Sequence, residues 1–186
     1  MMKAIPILLL TLAISAPFAG AELADKPEEL VRYVREWFSG KDFTKKDEIT
    51  GVFHQSRMNG ANFRGMDFED ASFEACDLAE ADMKGAVFGD GTKFFRCTLN
   101  GADLRGVDFA GATIDSVNFR GADLRGAKNL RNVKRANFQR ADLRGADLSQ
   151  IIQPMDEIDL EDAIYNAATR FPKGMDPAAA GAHLKR

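Results

Sequence analysis

A four-sided solenoid is the fold this sequence predicts, and two nested periods predict it. From residue 61 to residue 145 a large apolar residue returns about every five positions. One block returns at about four times that interval: Ala61-Asn62-Phe63-Arg64-Gly65, Ala81-Asp82-Met83-Lys84-Gly85, Ala102-Asp103-Leu104-Arg105-Gly106, Ala122-Asp123-Leu124-Arg125-Gly126 and Ala141-Asp142-Leu143-Arg144-Gly145. Its steps are 20, 21, 20 and 19 residues. A period of five inside a period of about twenty describes a chain that turns four corners per coil.

Five matches neither the 3.6-residue helix period nor the two-residue strand period. A continuous helix would smear the apolar centres around its surface, and a long strand would send them to alternate faces. Only a chain that bends after each block keeps them on one side. The Gly closing many blocks permits that bend, because it tolerates positive φ.

The centres begin at Phe53, Met58, Phe63 and Phe68 and continue to Phe88. One extra residue enters at Gly89–Lys93, and the phase resumes at Phe94. Between Arg125 and Arg135 the count blurs, with Leu130 and Val133 as candidate centres, and it returns at Phe138, Leu143 and Leu148. Two residues before most centres stands Ala or Cys, and Asp or Asn often lies between.

These residues resemble the pentapeptide-repeat family, whose motif is A-(D/N)-L-x-x. The resemblance covers residues 51–165. It implies an all-β fold, a right-handed quadrilateral parallel β-helix of about five coils spaced by about 4.8 Å. It also implies that each centre and the small residue two before it point inward. Nine Phe centres then form the core, and truncating Phe109 to Ala is expected to cost about 3–5 kcal/mol.

The flanks read differently. Residues 1–21 have the form of a secretory signal peptide: Lys3, the apolar stretch Ile5–Ile14, and the small-x-small site Ala19-Gly20-Ala21 before Glu22. That stretch is short for a membrane span, which needs about 20 residues. The expected location is therefore periplasmic or secreted, without stable membrane insertion. Residues 22–50 are read as an N-terminal capping helix and linker. Asp25–Phe38 is the helix, with Asp25 and Glu28 as a capping box and Leu30, Val31, Val34, Trp37 and Phe38 on one face. Covering the open end of the coil is the first reading of this helix, and binding a partner is the second. Residues 166–186 are expected to form an irregular C-terminal cap and tail. The run Tyr165–Pro177 resembles a terminator segment of the family, with Tyr165 and Phe171 as apolar cover.

Charge limits the partners. Without residues 1–21 the chain carries 24 basic and 28 acidic residues, a net charge of −4, so no nucleic-acid affinity is expected. Residues 51–90 hold eight acids and three bases, whereas residues 91–150 hold six acids and eleven bases. Some family members are DNA mimics that protect gyrase. That role needs an acidic cytoplasmic rod, and here fourteen acids meet fourteen bases over residues 51–150 behind a signal sequence.

The recurring block stacks Arg64, Lys84, Arg105, Arg125 and Arg144 in one column, with Asp82, Asp103, Asp123 and Asp142 beside it. The two columns form either a self-neutralised ladder or a groove for an anionic ligand or acidic protein. Cys76 and Cys97 stand one coil apart at small inward positions, where they are either buried thiols or a disulfide. His54 and His183 are too isolated for a metal signature, and the calcium-binding nonapeptide pattern is absent. No nucleophile triad, phosphate loop or matched carboxylate pair stands out, so neither catalysis nor a cofactor is expected. The expected role is a scaffold for an unidentified protein partner, an acidic one among the candidates, as a monomer or homodimer.

Overall fold

A computed structural model describes residues 32–45, 49–152 and 157–185. The expected signal peptide at 1–21 and the first part of the expected helix, 25–31, lie outside the described residues. The fold is an all-β parallel solenoid of about seven turns, not five.

Its first side is a six-stranded parallel sheet in sequence order. The strands are β1 (Arg32–Val34), β2 (Gly51–His54), β3 (Ala71–Glu74), β4 (Lys93–Phe95), β5 (Thr113–Asp115) and β6 (Asn132–Lys134). Sides two to four are held by single parallel bridges. Side two runs Trp37, Arg57, Asp77, Thr98, Asn118, Asn137, and side three runs Asp42, Asn62, Asp82, Asp103, Asp123, Asp142. Side four pairs Asp67, Val87, Asp108 and Lys128. β7 (Ala136–Asn137) pairs with β8 (Ile158–Asp159), continuing side two.

The centres stack as the periods require. The amide of Met83 donates to the Asp103 carbonyl at 2.8 Å, and that of Leu104 donates to the Asp123 carbonyl at 2.8 Å. Leu104 therefore lies in register between Met83 and Leu124, and all three are fully buried. On side one the rings of Tyr33, Phe53, Phe73 and Phe94 stack nearly parallel at 4.6, 5.1 and 4.9 Å. Such pairs add about 0.5–1.5 kcal/mol beyond simple burial.

The N-terminal helix is a correction. Arg32–Val34 is β1, paired parallel with residues 52–54. Tyr33, Phe38 and Phe43 continue the five-residue spacing one coil earlier, and their rings pack on Phe53 and Phe63. Val34 and Trp37, expected on one helix face with Phe38, instead point outward and are 52% and 67% exposed. The unpaired edge of the next coil offers a ladder of hydrogen bonds, and that template overrides local helix preference.

Two irregularities in the period also resolve. The extra residue near Gly91 is absorbed by buried Thr92, whose hydroxyl donates to the Phe68 carbonyl. A Cβ on Gly91 would lie 2.9 Å from the Asp70 Cα, so this bend has no room for a side chain. In the blurred stretch, Asn129 takes φ 62° and Leu130 is buried, after which Val133 centres β6.

At the far end the chain folds onto the last coil. Tyr165 and Phe171 meet edge to face at 5.4 Å. β9 (Ile164–Tyr165) pairs parallel with β10 (His183–Leu184), so the last described residues add a strand to the stack.

Candidate functional site

Side three carries the ladder singled out in the sequence, and its geometry explains the Asp column first. Each Asp Oδ1 accepts the amide two residues on: Lys84 from Asp82, Arg105 from Asp103, Arg125 from Asp123 and Arg144 from Asp142, all at 3.2 Å. Asn62 does the same for Arg64 at 3.2 Å. Asp and Asn recur because they close the turn between sides three and four.

The same carboxylates accept from the guanidinium groups through both oxygens at Asp103, Asp123 and Asp142. Arg64 reaches Asp82 one coil on at 3.1 Å, Arg105 pairs with Asp103, Arg125 meets Asp123 at 2.6 Å, and Arg144 meets Asp142 at 2.6 Å. Longer contacts, Arg105 to Asp123 at 3.7 Å and Arg125 to Asp142 at 3.8 Å, tie successive coils together. The Arg105 hydrogen bonds hold the Asp103 carboxyl below the usual carboxylate range. At Asp142 partial burial opposes ionisation, but the hydrogen bonds from Arg144 outweigh it and the carboxyl is again held low. Both arginines are correspondingly harder to deprotonate. Of the five sequence-predicted bases, only Lys84 has no ion pair among the described residues. The column is thus brought together as expected, with four of its five positive charges engaged.

Cys76 and Cys97 are free and buried, one coil apart. Each thiol lies near a carbonyl of the preceding coil, Phe53 and Phe73, both at 3.2 Å. Ser56 holds the same position one coil earlier and bonds the Tyr33 carbonyl at 3.2 Å. The next two positions of the column are buried Val117 and Ala136, so small size is what it requires. The neighbouring Cys76 thiol, with burial, pushes Cys97 well above the ordinary thiol range, far from a reactive thiolate. His54 contacts Glu74 at 3.2 Å and His183 contacts Asp162 at 3.3 Å, on different parts of the rod. Among the described residues no group of three or more His, Cys, Asp or Glu is placed to hold a metal.

Sorting the charges by side reveals what the repeat had hidden. Side one, counted with the corner that follows each strand, carries Arg32, Arg35, Lys93, Arg96, Lys134 and Arg135 against Glu74 and Asp115. Its net charge is +4 with His54 neutral. Among the described residues side four carries Asp67, Glu69, Asp70, Asp90, Asp108 and Asp147 against Lys128, Arg131 and Arg170, a net charge of −3. The basic side went unnoticed because its bases fall in three different coils and in no recurring block. Assigning each outward residue to a side would have found it.

A parallel solenoid with four short sides, apolar centres stacked within and Asx turns at its corners is a repeat-built β-helix. This chain belongs to the pentapeptide-repeat family: the model described as "Pentapeptide repeats" matches in 8 copies over residues 52–90, 92–128 and 129–151. Among solved structures it is similar to AT2G44920, a pentapeptide repeat protein from the Arabidopsis thaliana thylakoid lumen. That match has 32% identity over 66% of this chain and 71% of the other, with TM-score 0.34. It is also similar to QnrB1, a plasmid-mediated fluoroquinolone resistance protein, at 22% identity over 83% and 89% with TM-score 0.39. HetL, involved in heterocyst differentiation regulation in the cyanobacterium Nostoc, matches at 21% identity over 83% of each chain with TM-score 0.31. No curated relative matches the chain.

Proposed function

We propose that this chain is a non-enzymatic scaffold that binds another protein through a flat side of its β-helix, and that it does so after export. The observation carrying this reading is side one, where six parallel strands hold their outward side chains in fixed register over a stacked core. A surface held this rigidly loses little conformational entropy when a partner docks. Cross-linking of the full-length chain in its native cells tests it: a discrete cross-linked protein partner is expected, and none in any compartment would sink the reading. Export is tested separately by fractionation and by the N-terminus of the mature chain, expected at Glu22.

A second reading uses the side-three bases as a site for an anionic ligand. The pairing of Arg64, Arg105, Arg125 and Arg144 with Asp82, Asp103, Asp123 and Asp142 weighs against it, because a ligand would have to displace intramolecular partners. The DNA-mimic reading is weakened by the same contacts: guanidinium groups lie against the long Asp column of side three.

A further inference from the structure

We infer that the docking surface of this scaffold is side one, and that its partner is an acidic protein segment lying along the solenoid axis. The inference rests on the scaffold reading and adds the face and the partner chemistry.

Basic pairs stand at three levels of the sheet: Arg32 and Arg35 at β1, Lys93 and Arg96 at β4, Lys134 and Arg135 at β6. All six are exposed. Arg135 is paired with Asp115 at 2.5 Å, and Arg35 bonds the Gln55 side chain at 3.1 Å. Arg96 lies 4.8 Å over the ring of half-buried Phe95. Arg32, Lys93, Arg96 and Lys134 have no ion pair among the described residues. Side three is the opposite case, because four of its five cations, Arg64, Arg105, Arg125 and Arg144, already have partners. An incoming carboxylate therefore meets available charge on side one and occupied charge on side three.

Shape and surroundings select the class of anion. With strands of three or four residues, side one is about 10–13 Å wide. Side four, which meets it at a corner through Asp70 and Asp90, is net acidic. A nucleic-acid duplex overhanging side one would face those carboxylates. A single extended or helical protein segment fits within the strip. Phe95 and exposed Val34 give it apolar ground between the charges, the mix that protein interfaces use. At about 4.8 Å per coil the three basic levels are spaced by about 14 and 10 Å, so acidic side chains along one segment reach all of them.

The test uses the full chain and a fluorescein-labelled 20-residue poly-Glu peptide, read by anisotropy, with an oligothymidylate of equal charge as the comparison. Poly-Glu is expected to bind more tightly than the oligonucleotide and to weaken at least tenfold when salt rises from about 0.05 to 0.3 M. The combined variant Lys93→Glu, Arg96→Glu, Lys134→Glu is expected to lose at least tenfold, and Arg105→Glu with Arg125→Glu less than twofold. Should the triple variant melt early, Lys93→Ala with Lys134→Ala gives the same readout with a smaller loss. Four results overturn the inference: no binding of poly-Glu, equal loss in the side-three variant, tighter binding of the oligonucleotide, or indifference to salt. A cross-linked protein partner kept by the triple variant removes this inference alone. Absence of any partner for the intact chain removes the scaffold reading itself.

Discussion

The guanidinium of Arg125 lies 2.6 Å from the carboxylate of Asp123 in its own coil and 3.8 Å from that of Asp142 in the next. The column of like charges is thus interleaved with its counter-charges, both within and between coils. A repeating surface motif is here a structural device, since the same Asp closes the turn and neutralises its neighbour.

This arrangement has a pH signature. Asp103 and Asp142 have folded pKa values held below the ordinary carboxylate range. A depressed carboxyl contributes stability that is full above its unfolded pKa of about 3.9 and is lost as pH falls through the folded value. Thermal melts of the wild type should therefore decline below about pH 4. An Asp103→Asn, Asp142→Asn variant should start lower at pH 7 and decline less. Parallel declines of the two proteins would contradict the pairing.

The aromatic stack sets the stability of side one. Phe73 lies 5.1 Å from Phe53 and 4.9 Å from Phe94, fully buried. Phe73→Ala should cost about 3–5 kcal/mol and lower the melting temperature by roughly 6–20 °C. Phe109→Ala, beside Phe88 at 5.3 Å, belongs to the same range. Trp37→Ala, at an exposed site, should change the melting temperature by no more than a few degrees.

Corners supply a third prediction. Gly85 and Glu80 have the same kind of left-handed backbone, φ 70° and 59°. A Cβ on Gly85 would meet nothing within 4 Å. Gly85→Ala should thus destabilise by about 1 kcal/mol through backbone strain alone, and Glu80→Gly should stabilise by a similar amount. Gly111→Ala should be worse than Gly85→Ala, since its Cβ would also lie 3.1 Å from the Asp90 Cα. Denaturant midpoints measure all three.

Cys76 and Cys97 are expected to remain thiols. Maleimide labelling of the denatured chain without reductant should mark both, and the folded chain should label slowly at either, because each is buried. A chain that labels only after reduction would establish the bridge instead.

The solenoid, the inward register and the Phe core were legible because repetition carries them: five-residue spacing of Phe and Leu admits a single winding. The same reading extended a helix over Arg32–Phe38, where 3.6-residue spacing of Val34, Trp37 and Phe38 coincides with a five-residue pattern too short to stand out. Tyr33 on Phe53 decides between them, a contact twenty residues apart that local preference cannot see. For the candidate site, the sequence gathered Arg64 through Arg144 in one column, yet could not say that four of the five charges were already taken.

By itself, then, the sequence determined the winding, because a periodic pattern of burial is a local property summed along the chain. The tertiary structure alone decided which charges remain available. Lys93 and Lys134 are 41 residues apart in sequence and share a sheet only once the coils are stacked. Whether a surface cation has a partner depends on distances of a few ångströms between coils.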